Sequence, residues 1–475
     1  MVANSWQPDP DRCFSPVTEV RELARDIYGR ISDLPIVSPH GHVDPGLLAD
    51  PDARFGNPAE LLIIPDHYVF RMLYSQGVSL DSLGVTRLDN QPVETDGRKI
   101  WQLFADHIHL FRGTPSGLWL STVLSEVFGV SERLTGSNAA RIYDRLSEQL
   151  ASPDFSPRSL FERFNIEVLA TTDSATASLE HHQKLNDAGL RVIPTFRPDR
   201  LFDFSSPDWP ATVERLSELT GLHIGDLTGF VSAISRRRKQ FRDLGATATD
   251  HSRMVTEIRS LPAPLAGSLF GKAMRGGLSD SEVNQLHAHM LFEMARLSCE
   301  DGMTMQLHLG SYRNHNRSLT EAFGPDTGSD IPVQVDWTRG LAPLLSAFGN
   351  EPNLKLILFT LDEASYGREL APLAGHYPSV RIGPPWWFFD SVKGIERYLD
   401  QTVETAGFYN LAGFNDDTRA FASIPARHDV WRRVTSNWLA GEVKRGLLEE
   451  NDAHEVARWL AIDAARSAYS LAAQP

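Results

Sequence analysis

The chain has 475 residues, 41% of them hydrophobic, with 46 Lys and Arg against 61 Asp and Glu, for a net charge of −15. That is enough apolar material for a large core, and the acidic balance argues against binding to nucleic acid. The two cysteines, Cys13 and Cys299, exclude a disulfide framework or a Cys-rich zinc site and point to a reducing, cytoplasmic setting. No apolar run approaches the roughly 18 residues that a membrane span needs. Met1-Val2-Ala3-Asn4-Ser5-Trp6 lacks a basic stretch leading into an apolar one, so no signal peptide is expected.

Residues 1–34 read as a lead-in with an amphipathic helix over Val17 to Ile31. Eight short β-like runs follow, at residues 35–43, 168–173, 192–196, 246–251, 303–310, 354–360, 380–384 and 410–415. Most are separated by helical patterns. That alternation implies parallel strands, and the fold class it predicts is α/β, a TIM-like (β/α)8 barrel over residues 35–475. Residues 44–160 are far too long for one crossover. They are helix-rich and aromatic, and read as a helical subdomain inserted after strand 1, above the barrel mouth. A second helical stretch, 205–245, carries Arg236-Arg237-Arg238-Lys239, which reads as a solvated helix face rather than an anion site. The tail from Trp459 to Ala473 is Ala-rich and expected to be helical.

The chemistry sits where the strands end. In Ser38-Pro39-His40-Gly41-His42, an extended backbone points His40 and His42 to one side, aimed at a metal or a substrate oxygen. Later run ends supply Arg197, Asp250, His251, His308, Arg313, Trp386, Trp387, Asp416, Asp417 and Arg419. Two imidazoles from strand 1 and a carboxylate from strand 8 can form an open metal site suited to zinc, manganese or iron. The same aspartate could act as a general base. Arg197, Arg313 and Arg419 are a surplus of cations for a neutral substrate and suit a carboxylate, unless each pairs with an aspartate such as Asp199 or Asp416.

These residues resemble the uronate (glucuronate) isomerase family of the amidohydrolase superfamily. The superfamily likeness rests on His40-Gly41-His42 and Asp417. The family likeness runs along nearly the whole chain, through Asp66-His67-Tyr68, Thr171-Thr172-Asp173, Arg197-Pro198-Asp199, Asp250-His251, Gln306-Leu307-His308 to Arg313, Trp386-Trp387-Phe388 and Asp417-Thr418-Arg419. The resemblance implies an aldose–ketose isomerase that interconverts D-glucuronate and D-fructuronate, and D-galacturonate and D-tagaturonate, by proton transfer between C2 and C1 through a cis-enediol. It puts Asp417 and Tyr68 in proton transfer, with His40 and His42 beside them. It puts His67, Arg197, His308, Arg313, Arg419 and Trp386 against the substrate. A divalent metal, zinc foremost, would be held by His40, His42 and Asp417 if bound, without being demanded by the reaction; no organic cofactor is implied. Tyr68 can serve as a base only if nearby cations lower its pKa from the roughly 10 of a free phenol. The expected partner is a small hexuronate, and the expected form a homo-oligomer.

The chain departs from that pattern in places, as a divergent branch would. Ser38 stands where typical members carry Asp, and residues 113–121 keep the Gly and Trp of the family's segment but not its Asn, Tyr and His. Two other readings of the residues stay open: a metal-dependent hydrolase on the same scaffold, with His251 and His308 as further ligands, and a non-catalytic sugar-acid binding protein.

Overall fold

The computed structural model describes residues 7–253 and 257–472; Met1–Trp6, read above for a leader, and Ala473, the expected end of the tail, lie outside them. Seven strands pair in parallel and in chain order: β1 Ile36–Ser38, β2 Ile166–Ser174, β3 Val192–Arg197, β4 Ala248–His251, β5 Thr304–Leu309, β6 Leu356–Thr360 and β7 Val380–Ile382. Helices run between them, as parallel connections require. A strand covered on both faces must be apolar throughout, and Leu356-Ile357-Leu358-Phe359 is buried along its length.

The eighth run differs from the expectation. Residues 410–415 form no strand. Leu411 makes a single parallel bridge to Ile382, and the Ala412 N–H donates to the Ile382 carbonyl at 2.8 Å. Gly413 interrupts the ladder. Its φ of +79° leaves the extended region, and a Cβ there would lie 2.6 Å from the Ala465 nitrogen. Past this kink the His42 N–H donates to the Thr418 carbonyl at 3.0 Å, joining the last segment to the first. The fold is therefore α/β, a barrel of parallel strands whose eighth position is a kinked segment. β1 is also shorter than the expected 35–43, because Pro39 has no N–H to continue the ladder.

Between β1 and β2 the chain is helical, packed around buried Trp101, Phe104, Phe111 and Phe128. The Asp66 carboxylate accepts from the Tyr68 N–H at 2.9 Å and so starts the helix His67–Tyr74, which brings His67 and Tyr68 to the barrel mouth. After β5, Ser311–Tyr312 pairs antiparallel with Ile331–Pro332, a ribbon that the sequence did not announce. No helix among the described residues is long and apolar enough to cross a membrane.

The basic run lies on the helix Leu227–Arg242, and only half of it is a solvated face. Arg236 and Lys239 are exposed, whereas Arg237 and Arg238 are buried. The Arg237 Nε donates to the Ala175 carbonyl at 2.8 Å. Arg238 grips Asp301 with two donors, at 2.6 and 2.7 Å, fastening this helix to the helix Asp280–Asp301. Cutting one side of such a pair leaves a buried charge alone. Asp301→Ala is expected to cost about 3 kcal/mol in urea denaturation, and Arg238→Met with Asp301→Leu to recover most of it. A loss below about 1 kcal/mol in the single variant would mean that the pair does not hold these helices together.

Candidate active site

The C-terminal strand ends meet in a cleft. Its lining takes in ten residues expected from the sequence: His40, His42, His67, Tyr68, Arg197, His308, Arg313, Trp386, Asp417 and Arg419. At the centre, the Asp417 Oδ1 lies 3.4 Å from His40 Nε2 and 3.1 Å from His42 Nε2. The Trp386 indole N–H donates to the other carboxylate oxygen at 2.7 Å. Asp417 has φ +42°, a conformation a non-glycine residue holds only when its surroundings fix it. Burial alone would raise the Asp417 pKa, but the contacts with His40 and His42 hold it well below the usual carboxylate range. Burial opposes a charge on both imidazoles. Asp417 overcomes it at His40, whose pKa is raised, and not at His42, whose pKa is lowered.

The same three side chains fit a metal. Ligands about 2.1 Å from one ion stand about 3.0–3.4 Å apart, and the two nitrogen–oxygen distances of 3.4 and 3.1 Å match. Two nitrogens and one oxygen leave further positions open. A second cluster, His40, Asp250 and His308, is less free. The Asp250 Oδ1 is 2.6 Å from His308 Nδ1, and its Oδ2 is 3.5 Å from Arg197 Nη1. His308 stacks on His40 with ring centres 4.7 Å apart, and its buried Nε2 has no hydrogen-bond partner, so that nitrogen is available to a bound molecule.

Each cleft arginine has an acidic neighbour. Arg197 contacts Asp199 at 3.1 Å, as the sequence allowed, and donates to Ser252 at 2.7 Å. Arg419 pairs with Asp326 at 2.8 Å rather than with Asp416, and its Nη1 lies 3.0 Å from His67 Nδ1. Burial and that guanidinium push the His67 pKa down to about 3, so His67 is neutral. Arg313 is the least engaged, 3.8 Å from Asp330 and 5.2 Å from the centre of the Trp386 ring, with its buried Nε unpartnered.

Three expectations change. Strand alternation turns His251 away from the cleft, its Nε2 3.0 Å from Thr249 Oγ1, so it is no further metal ligand. Asp416 likewise faces His428, at 3.2 Å. The condition for Tyr68 as a direct base is not met. Its hydroxyl donates toward Asp390 Oδ2 at 2.9 Å, with the Trp387 carbonyl at 3.0 Å, and burial together with Asp390 pushes the phenol well above its ordinary pKa. Sequence reading missed Ser252, Asp326 and Asp330 in the lining, and Asp390 and Arg427 behind it. The two loop aspartates carry no signal in Gly324-Pro325-Asp326-Thr327-Gly328-Ser329-Asp330 beyond turn composition.

Fold and site together define an α/β-barrel enzyme of the amidohydrolase type, centred on a His-x-His pair and an aspartate at the eighth position. The profile of the family described as glucuronate isomerase matches residues 17–465, and the chain belongs to that family. It is 56% identical over 463 residues to the uronate isomerase of Nostoc punctiforme, covering 97% of this chain and 98% of that one. It is 50% identical over 465 residues to that of Rhizobium meliloti, covering 98% and 99%. Among solved structures, the glucuronate isomerase of Caulobacter crescentus superposes with a TM-score of 0.95 at 46% identity, over 98% of both chains. The uronate isomerase of Thermotoga maritima does so with a TM-score of 0.89 at 27% identity, over 98% of this chain and 100% of that one.

Asp250 holds both His308 and Arg197. Asp250→Asn is expected to keep the circular dichroism spectrum and lower stability by about 1–3 kcal/mol in thermal unfolding. An unchanged midpoint would mean that the carboxylate does not organise these two side chains.

Proposed function

We propose that this cleft isomerises a hexuronate, converting D-glucuronate to D-fructuronate by moving a proton between C2 and C1 through a cis-enediol. The observation that carries the reading is the half-buried, ionised Asp417 among His40, His42 and Trp386, within a ring of arginines. An aldose–ketose exchange needs a base, donors for the enediolate oxygen, and cations for the C6 carboxylate. Asp417 takes the hydroxyl proton that opens the ring. His308, through its free Nε2, meets a substrate oxygen, and the indole of Trp386 orients the reacting carboxylate. Arg313, Arg197 and Arg419 provide the positive field for the carboxylate, and His67 keeps Arg419 in place. A divalent ion held by His40, His42 and Asp417 would, when bound, lower the energy of negative charge on the C1 and C2 oxygens.

The same reading extends to D-galacturonate, giving D-tagaturonate. It takes zinc as the ion, the cytoplasm as the compartment, in line with free Cys13 and Cys299, and a homo-oligomer as the working form. The arginine ring disfavours the hydrolase alternative, since a neutral amide has no use for it.

Turnover of D-glucuronate and D-galacturonate, assayed for ketose before and after chelation, tests the proposal. Conversion of either acid is expected. Failure with both, alongside hydrolysis of an amide, lactone or ester, would replace the reading with the hydrolase. Asp417→Asn is expected to lower kcat about 10³-fold with the fold intact, and near-normal turnover would remove Asp417 from the chemistry. His42→Ala is expected to lose the bound divalent ion, measured by mass spectrometry of the purified protein. Equal metal content would move the ion elsewhere.

A further inference from the structure

Arg419 reaches the cleft with both terminal nitrogens engaged. Its Nη1 faces His67 Nδ1 at 3.0 Å, and its Nη2 donates to Asp326 Oδ2 at 2.8 Å. A guanidinium grips a carboxylate with two prongs in either of two ways, through Nη1 and Nη2 or through Nε and Nη2. Arg238 uses the second way in this protein, with Nε and Nη2 on the two oxygens of Asp301. Both ways need Nη2. Asp326 therefore sits on the one nitrogen that a two-pronged grip by Arg419 cannot do without.

The other cleft arginines are arranged differently. Arg197 is held by Asp199, Asp250 and Ser252, and Arg313 stands 3.8 Å from Asp330. The side chains of Asp199, Asp250 and Asp330 are 22%, 2% and 10% exposed, whereas that of Asp326 is 44% exposed. Of these four acids, Asp326 has the most open water to turn into, so its carboxylate leaves an arginine at the least cost. Its backbone, by contrast, is fixed. Asp326 has φ +63°, in the left-handed region, and its N–H donates to Asn314 Oδ1 at 3.0 Å. Two residues on, Gly328 has φ +78° and passes so close to the inserted helix that a Cβ there would lie 3.1 Å from the His67 carbonyl oxygen. The loop is thereby pressed against the helix that carries His67, the other partner of Arg419. A carboxylate that can rotate on a fixed backbone is a tethered ligand, with a high effective concentration at its target.

We propose that Asp326 is a built-in stand-in for the substrate carboxylate: it occupies Arg419 until a uronate displaces it, and so sets which anions the cleft admits. The proposal rests on the isomerase reading above, which puts the C6 carboxylate among these arginines. A small anion has only its charge to set against the tethered carboxylate. A uronate adds contacts through its hydroxyls, such as one to the free Nε2 of His308, that offset the displacement. No proton or electron moves; one pairing of Arg419 with a carboxylate replaces another. Asp326 is thus a specificity residue that acts through Arg419, and its presence raises KM.

The test is Asp326→Asn, in steady-state turnover of D-glucuronate with and without inorganic phosphate. Asn suits the left-handed backbone and keeps the shape of Asp without its charge. The variant is expected to lower KM about fivefold, to keep kcat within about threefold, and to let phosphate compete at a concentration about fivefold lower than in wild type. An unchanged KM would overturn the proposal. So would a raised KM, which would make Asp326 a prop for Arg419 and not its competitor. Glu321→Gln removes the same charge from the neighbouring helix Arg317–Phe323, outside the cleft lining, and is expected to change neither constant. An equal fall in KM there would assign the effect to net charge and overturn the stand-in. The two readings fail separately. A wild-type protein that turns over neither uronate refutes the isomerase and takes the stand-in with it, whereas an active wild type with an unmoved KM in Asp326→Asn refutes only the stand-in.

Discussion

A carboxylate taken out of water must be paired or it will not stay charged, and the partners of Asp417 come from the other end of the chain. His40 and His42 follow β1, and Asp417 follows the kinked eighth segment. They meet where the His42 N–H bonds the Thr418 carbonyl across the seam, beside Arg432, which donates to the Leu34 and Pro35 carbonyls just before β1. Closing the barrel thus also brings these three side chains together. The kink at Gly413 and the left-handed backbone at Asp417 are local costs that this closure sustains.

The charge balance of the mouth follows from the same need. An acidic protein that gathers Arg197, Arg313 and Arg419 in one cleft must compensate them while the cleft is open, and Asp199, Asp330 and Asp326 do so. Two of these acids belong to the loop 313–330, carried on the small ribbon after β5. Under the proposed isomerisation, an incoming carboxylate exchanges with a protein carboxylate instead of meeting bare cations, which tempers affinity and favours anions of matching shape.

Much of this was legible in the sequence, for a physical reason. In a barrel the strand ends face one mouth, so alternating strand and helix patterns pick out His40, His42, Arg197, His308 and Asp417 without coordinates. What stayed hidden depends on parity or on distant packing. Asp416 and Asp417 are adjacent, and only the observed backbone shows that the first meets His428 while the second faces the cleft. Arg237 and Arg238 look like surface charges until a neighbouring helix and the end of β2 cover them. Asp390 and Arg427 reach Tyr68 from turns and helices hundreds of residues away in sequence. The shortened β1 was in principle readable from Pro39, whereas the bend at Gly413 needed the helix Ala464–Ala468 behind it.

The most direct test of the account follows the C2 proton of D-glucuronate by NMR in D2O with the wild-type protein. The account predicts a ketose product in which the C2 proton has left its carbon, either carried to C1 or exchanged with solvent there. Consumption of substrate with the C2 proton still in place, or no change in either uronate over long incubation, would contradict it.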